Sequence, residues 1–390
     1  MAASLTGEDT SAQALACWLQ HCRSPSAPNV VFAQIWVSFA QAYAQCADPT
    51  SETMSTASAT ASRKPVGARR IIAVGGGKGG VGKSVLSANI AVAFAERGQQ
   101  VVLIDADLGM ANAHTLFSIE RPGKGLGAVL DKEVADVSET RVETGVPNLT
   151  LIPGTSASPG TANINHGQKQ KLLRQIRNLD ADLVVIDCGA GAAYNTLDFY
   201  ILADTRLVVV TPQITSIQNA YGFLKGAVHR VLIQCAGSPA RKKHVAAELA
   251  NARGVAQLPE VIARIAQTDP ELAAAMHSQL TYFGARVVGN YIYEPKEEII
   301  VQTMGRLCRD FLGIQATTLG TIPASKHMHA SVNARVPLLN RHGSEPLAVM
   351  VRQVAALLAN EDVEYVRNGR IMLPKIREAP EMAAPRPLVH

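Results

Sequence analysis

Residues 71–98 read IIAVGGGKGGVGKSVLSANIAVAFAERG: a β-branched run, a glycine-dense loop and a helix-length apolar segment in direct succession. The loop contains G-x-x-x-x-G-K-S from Gly77 to Ser84. Glycines at this spacing let backbone N–H groups converge on phosphate oxygens, and the N-terminus of the following helix adds its positive dipole end. Gly77, Lys78, Gly79, Gly80, Val81, Gly82, Lys83 and Ser84 are therefore expected to cradle a polyphosphate, with Lys83 reaching the β- and γ-phosphates and the Ser84 hydroxyl available to Mg2+. The bland alternative is a glycine-rich turn with no ligand. The strand signal before the loop and the helix signal after it argue against that reading.

Outward from this stretch the same rhythm continues. Short buried-strand signals lie at 101–104, 149–152, 183–186, 207–210 and 287–288, with a weaker one at 317–320, and helix-length segments separate most of them. Apolar runs without polar alternation suit strands covered on both faces. The expected fold is α/β: a doubly wound, mostly parallel sheet of about seven strands with helices on both faces (a P-loop NTPase), plus a helical insertion. The insertion is placed at about 234–284, where RKKH at 241–244 is followed by helical patterns and an Asp269-Pro270 helix start. The basic cluster reads first as a solvated helix start and second as a contact for DNA phosphates or acidic lipid.

The chain has 390 residues, enough for two to three units at about 150 residues each. We divide it into an N-terminal helical segment at 1–46, a flexible small-polar linker at 47–69, the main domain at 70–360 and a C-terminal tail at 361–390. With 47% apolar and 18% charged residues, wholesale disorder is excluded. A net charge of +5 is too mild to point to nucleic acid by itself. No apolar run reaches the ~18 residues of a membrane span. The opening residues lack a basic-then-apolar pattern, so no secretory leader is expected. Cysteines at 17, 22, 46, 188, 235 and 308 form no C-x-x-C pair, which disfavours zinc, iron–sulfur and disulfide scaffolds and fits reduced thiols in the cytoplasm. Residues 30–46 form a helix pattern with one polar stripe and no positive charge. This suits packing on a protein surface better than binding a membrane.

Lys78 has no packing purpose among glycines. The run K-G-G-V-G-K-S, with a lysine at both ends, resembles the deviant Walker A motif of the MinD/ParA family of P-loop ATPases. The resemblance implies ATP and Mg2+ as ligands, slow ATP hydrolysis, and an ATP-bound homodimer in which Lys78 reaches the partner's nucleotide. VVLIDADLGMAN resembles the family's first switch, D-x-D-x-G-x-x-N. Asp107 then orients or deprotonates the attacking water and Asp105 assists the Mg2+ shell, while either Asp alone would read as a turn cap. ADLVVIDCGAG resembles the Walker B strand and second switch. It makes Asp187 a carboxylate beside Mg2+ and lets the Gly191 backbone approach the γ-phosphate. Asn290, in VVGNYIYEP, and Pro323, in LGTIPASKHMH, stand where the family flanks adenine, although both are ordinary turn residues.

The resemblance covers about 70–360, and the order of segments is most like the FlhG/FleN branch. It implies an ATP-dependent positioning switch for flagellar or polar machinery. The alternatives are an ATP-gated anti-activator of a transcription regulator and a ParA-like partitioning ATPase for DNA cargo. Implied partners are a second copy of the chain and a flagellar GTPase, transcription regulator or polar factor. Membrane or DNA contact has no clear motif behind it. The expected location is cytoplasmic, with peripheral attachment at the membrane or pole as the variant that the family allows. Three departures stand against the branch assignment: the long 234–284 insertion, only Gln13-Ala14-Leu15 as an echo of the GTPase-activating segment, and no basic amphipathic C-terminal helix.

Overall fold

The computed structural model describes residues 70–154, 166–251, 257–359, 365–367 and 370–372. The segment at 1–46 with both tryptophans, the linker at 47–69 and most of 361–390 lie outside the described residues.

Eight strands form one sheet: β1 Arg70–Gly75, β2 Val101–Asp105, β3 Val142–Glu143, β4 Leu149–Ile152, β5 Leu183–Asp187, β6 Thr205–Val210, β7 Ala285–Ile292 and β8 Ala316–Pro323. Their order is β3-β4-β2-β5-β1-β6-β7-β8. Every pairing is parallel except that of β3 with β4. All seven strand signals in the sequence became strands. The eighth, β3, is two residues long with neither side chain buried, so no apolar run announced it.

The twelve described helices are α1 Lys83–Ala95, α2 Leu126–Leu130, α3 His166–Arg177, α4 Tyr194–Leu202, α5 Ile214–Cys235, α6 Pro239–Asn251, α7 Leu258–Thr268, α8 Pro270–Tyr282, α9 Glu298–Leu307, α10 Lys326–Asn333, α11 Leu338–Arg341 and α12 Pro346–Leu358. They divide the core into two layers. On one face α1 and α12 cover Ile72, Val74, Leu103, Val185 and Val209. On the other, α3, α4, α5 and α9 cover Ile71, Ala73, Ile104, Ile186 and Val208. Consecutive strand residues thus feed opposite layers, the physical reason the inner strands β1, β2, β5 and β6 are nearly continuously apolar. α1 is buried on nearly every side from Leu86 to Ala95, which explains its lack of an amphipathic stripe.

Helices α6, α7 and α8 occupy the 234–284 stretch. Val245, Leu249, Val261, Ile265, Leu272 and Met276 join the same apolar layer as α5. Asp269 caps α8, its carboxylate accepting the Leu272 N–H at 3.0 Å. The basic cluster is partly neutralised: the Arg241 guanidinium binds Asp269 at 2.7 Å and Glu271 at 2.9 Å, while Lys242, Lys243 and His244 are exposed.

The phosphate-loop helix is tied to the end of the domain by one buried polar residue. The Asn89 amide donates to the Val85 carbonyl at 2.8 Å and accepts the Leu339 N–H at 3.1 Å. Asn89→Ala leaves the Leu339 N–H buried without this partner. The expected loss is about 1–3 kcal/mol of stability, read as a lower urea midpoint at unchanged slope.

Candidate functional site

β1 lies between β5 and β6. The chain leaves β1 toward β2 on one side and crosses from β5 to β6 on the other, so the loops after β1, β2 and β5 converge at one carboxyl edge. Gly80 (φ 79°) and Gly82 (φ 92°) are left-handed, a conformation that side chains rarely adopt, and they turn the loop 76–82 into the first residue of α1. Gly77 is required for space. A Cβ there would lie 1.8 Å from the Asn219 carbonyl oxygen on α5.

The two lysines of the loop are placed differently. Lys83 is buried, and its ammonium folds back to donate to the Lys78 carbonyl at 3.3 Å. Lys78 itself is exposed. Asp187 ends β5 directly beside Asp105, its register partner on β2. The Asp187 carboxylate meets the Ser84 and Ser87 hydroxyls, the latter at 3.1 Å, and Ser87 also lies 2.9 Å from the Lys83 carbonyl. Ser87 was not singled out from the sequence. Its signal was helical spacing, three residues beyond Ser84 and on the same face.

Asp105 closes the loop after β2, its two oxygens accepting the N–H groups of Asp107 at 3.1 Å and Ala113 at 2.9 Å. This adds a loop-holding task to the metal-shell place expected for it. Asp107 accepts the Gly109 and Met110 amides through one oxygen, and its carboxyl carbon lies 3.2 Å from where a Gly189 Cβ would be. Glycine at 189 therefore lets Asp107 sit against the loop after β5. Gly191 follows with φ 81° and open space around it. Asn290 and Pro323 come together at the ends of β7 and β8, where Ile292 and Pro323 are register partners. The buried Asn290 amide donates to the Val81 carbonyl at 2.8 Å, so the residue expected at the base also holds the phosphate loop.

Burial, then the neighbouring Asp105, pushes Asp187 up to about 7, against the pull of Ser84, Lys83 and Ser87. Burial pushes Asp105 up to about 6, against the backbone amides of Ala113, Asp107 and Asn112. Hydroxyl and carboxylate oxygens beside a polyphosphate cradle form a hard donor set that suits Mg2+, which takes few protein ligands and completes its shell with phosphate and water. Two buried, mutually repelling carboxylates are what a divalent cation would relieve. Ser84 and Asp187 would hold it. Among the described residues the thiols of Cys188, Cys235 and Cys308 are free and form no metal cluster.

A pH dependence follows. Both carboxyls sit above the ordinary value of ~3.9, so in the nucleotide-free protein these two groups bind more protons folded than unfolded between about pH 4 and 7. Their contribution to stability falls as pH rises through that window and levels off above it. Relative to Asp187→Asn, the wild-type urea midpoint is expected to drop from pH 4 to about 7 and then level off, without nucleotide. A pH-independent difference between the two proteins would contradict the assignment.

Comparison with known proteins agrees with this geometry. The CobQ/CobB/MinD/ParA nucleotide binding domain matches residues 72–338. The antiactivator FleN of Pseudomonas aeruginosa is 33% identical over 195 residues, 46% of this chain and 66% of that protein. The flagellum site-determining protein YlxH of Helicobacter pylori is 34% identical over 164 residues, 41% of this chain and 54% of that protein. The chain thus spans between half and two thirds of the length of these relatives. The septum site-determining protein MinD of Pyrococcus horikoshii, complexed with Mg-ADP, shares the fold with a TM-score of 0.51 at 16% identity, covering 74% of this chain and 96% of that one. A glycine loop set between β1 and α1, a strand-end Asp187 beside it, a mostly parallel sheet and a match over residues 72–338 lead to one conclusion: the chain belongs to the CobQ/CobB/MinD/ParA nucleotide-binding family and resembles its FlhG/FleN-like members.

Proposed function

We propose that this protein is an ATP-dependent dimerising switch that hydrolyses ATP with Mg2+ and positions or regulates flagellar or polar machinery. The observation that carries the reading is the unequal placement of the two loop lysines, Lys83 buried against its own loop and Lys78 exposed beside it. In this reading Lys83 serves the chain's own nucleotide and Lys78 a nucleotide held by a second copy. Met110, Tyr194 and Tyr293 support an interface there. Each is more than 70% exposed, and each follows a strand at the same carboxyl edge as the phosphate loop.

In this mechanism the loop amides and Lys83 hold the triphosphate. Bound Mg2+, held by Ser84 and Asp187, supplies charge neutralisation on the phosphates. Asp107 orients the attacking water and receives its proton. As water adds to the γ-phosphorus and the bond to the ADP oxygen breaks, Lys83 and the second copy's equivalent of Lys78 offset the developing charge. Closure of the dimer excludes bulk water. The Asn290–Pro323 pair faces the base.

The name of the FleN relative favours a second reading, an ATP-gated anti-activator in which turnover is incidental. Asp107 separates the two.

Three variants test the proposal. Lys83→Ala is expected to abolish ATP·Mg binding by calorimetry. Lys78→Ala is expected to keep that binding while losing the ATP-dependent mass shift in light scattering. Asp107→Ala is expected to bind and dimerise but to hydrolyse ATP roughly 100-fold or more slowly. A tagged wild-type protein is expected to form polar foci that Lys83→Ala disperses. A fully functional Asp107→Ala strain would transfer the assignment to the anti-activator reading.

A further inference from the structure

α5 carries Asn219, Phe223, Gly226 and Arg230 at intervals of four, three and four, so the four residues share one helix face. That face touches each part of the site in turn. The Asn219 carbonyl takes the place a Gly77 side chain would need. The Phe223 ring lies 2.7 Å from where a Gly75 Cβ would stand. Gly226 leaves room for Leu197 and for Ala192 of the second switch loop, at 3.3 and 3.6 Å from its missing Cβ.

Arg230 completes the face, and here the structure departs from ordinary packing. Its guanidinium binds the buried Asp198 carboxylate through two nitrogens, Nε and Nη2, the latter at 2.8 Å. It also lies 4.7 Å from the centre of the Tyr194 ring. Lys169 on α3, only 7% exposed, approaches the same carboxylate at 2.5 Å and donates to the Asn195 side-chain oxygen at 3.2 Å. Two cations thus grip Tyr194, Asn195 and Asp198, the opening of α4, which begins three residues after Gly191. One carboxylate against two cations leaves a net positive charge. Cations beside a helix N-terminus are unfavourable by themselves. Replacing buried ion pairs by well-packed apolar residues is often neutral for stability, so such a cluster is a poor stabilising device. It is a good orienting one, because fork-shaped pairing and ring stacking fix direction.

We propose that Lys169, Asp198 and Arg230 are positioning residues that clamp the start of α4 onto α5 and α3, and so fix the C-terminal end of the second switch loop, 188–193, relative to the phosphate loop. The clamp serves turnover more than nucleotide affinity, because its three residues touch no part of Gly77–Ser84 and anchor the helix that directly follows the loop Asp107 packs against. This rests on the ATPase reading above.

The test uses Arg230→Met in the full chain. The substitution leaves Lys169 and Asp198 as a neutral one-to-one pair, whereas Asp198→Asn would strand two cations and is used only as a folding comparison. Amide hydrogen exchange of the nucleotide-free protein is expected to speed up roughly tenfold or more at 189–195, with α1 unchanged. In steady-state assays kcat is expected to fall roughly tenfold or more while KM for ATP stays within about twofold. Arg230→Lys is expected to recover part of both effects. Unchanged exchange at 189–195, equal acceleration in α1, or an unchanged kcat overturns the proposal. If the wild type hydrolyses no ATP, the ATPase reading falls and the exchange measurement decides the clamp alone.

Discussion

The phosphate loop and α5 approach so closely that one methyl group at position 77 would overlap the Asn219 carbonyl. That backbone-to-backbone contact sets the geometry of the whole carboxyl edge. It places Gly77 at the start of the loop, and the left-handed Gly80 and Gly82 then carry the chain into α1 with Lys83 turned back over the curve. Since α5 also meets Gly75 through Phe223 and the second switch through Gly226, a rigid helix becomes the common reference for elements far apart in sequence.

A second constraint is electrostatic. Two carboxylates, Asp105 and Asp187, lie side by side on neighbouring strands and are both buried. The protein offsets part of this cost with backbone amides for Asp105 and with Ser84, Ser87 and Lys83 around Asp187. The remainder is a standing demand for positive charge beside the phosphate cradle, the condition for coupling nucleotide and divalent cation in one site. The Lys169–Asp198–Arg230 triad has the opposite imbalance, one anion for two cations. The two unbalanced clusters sit at either end of the short segment 187–198.

Much of this was legible in the residues because strand burial and phosphate binding both leave local signatures. The continuous apolar runs of β1, β2, β4, β5, β6 and β7 needed only neighbours in sequence to be read. The loop lysines and glycines, with Asp105, Asp107 and Asp187, sat in short motifs. β3 left no mark because its two residues pair at a partly exposed sheet edge. Ser87 was hidden in a helix that is apolar almost throughout. The contact of Asn290 with Val81 spans more than two hundred positions. The basic run at 241–244 could not show that Asp269 and Glu271 engage its first residue.

The sequence by itself determined the α/β layering, the phosphate loop and the identity of the carboxylates beside it, because each depends on periodicity or on residues within a dozen positions. Tertiary structure alone decided which groups meet. It put the Asp107 carboxylate over Gly189, the Asn290 amide on the loop, and two cations on Asp198 from separate helices. The physical reason is that such contacts are set by crossover connections and helix packing, which bring together residues whose local sequences carry no record of one another.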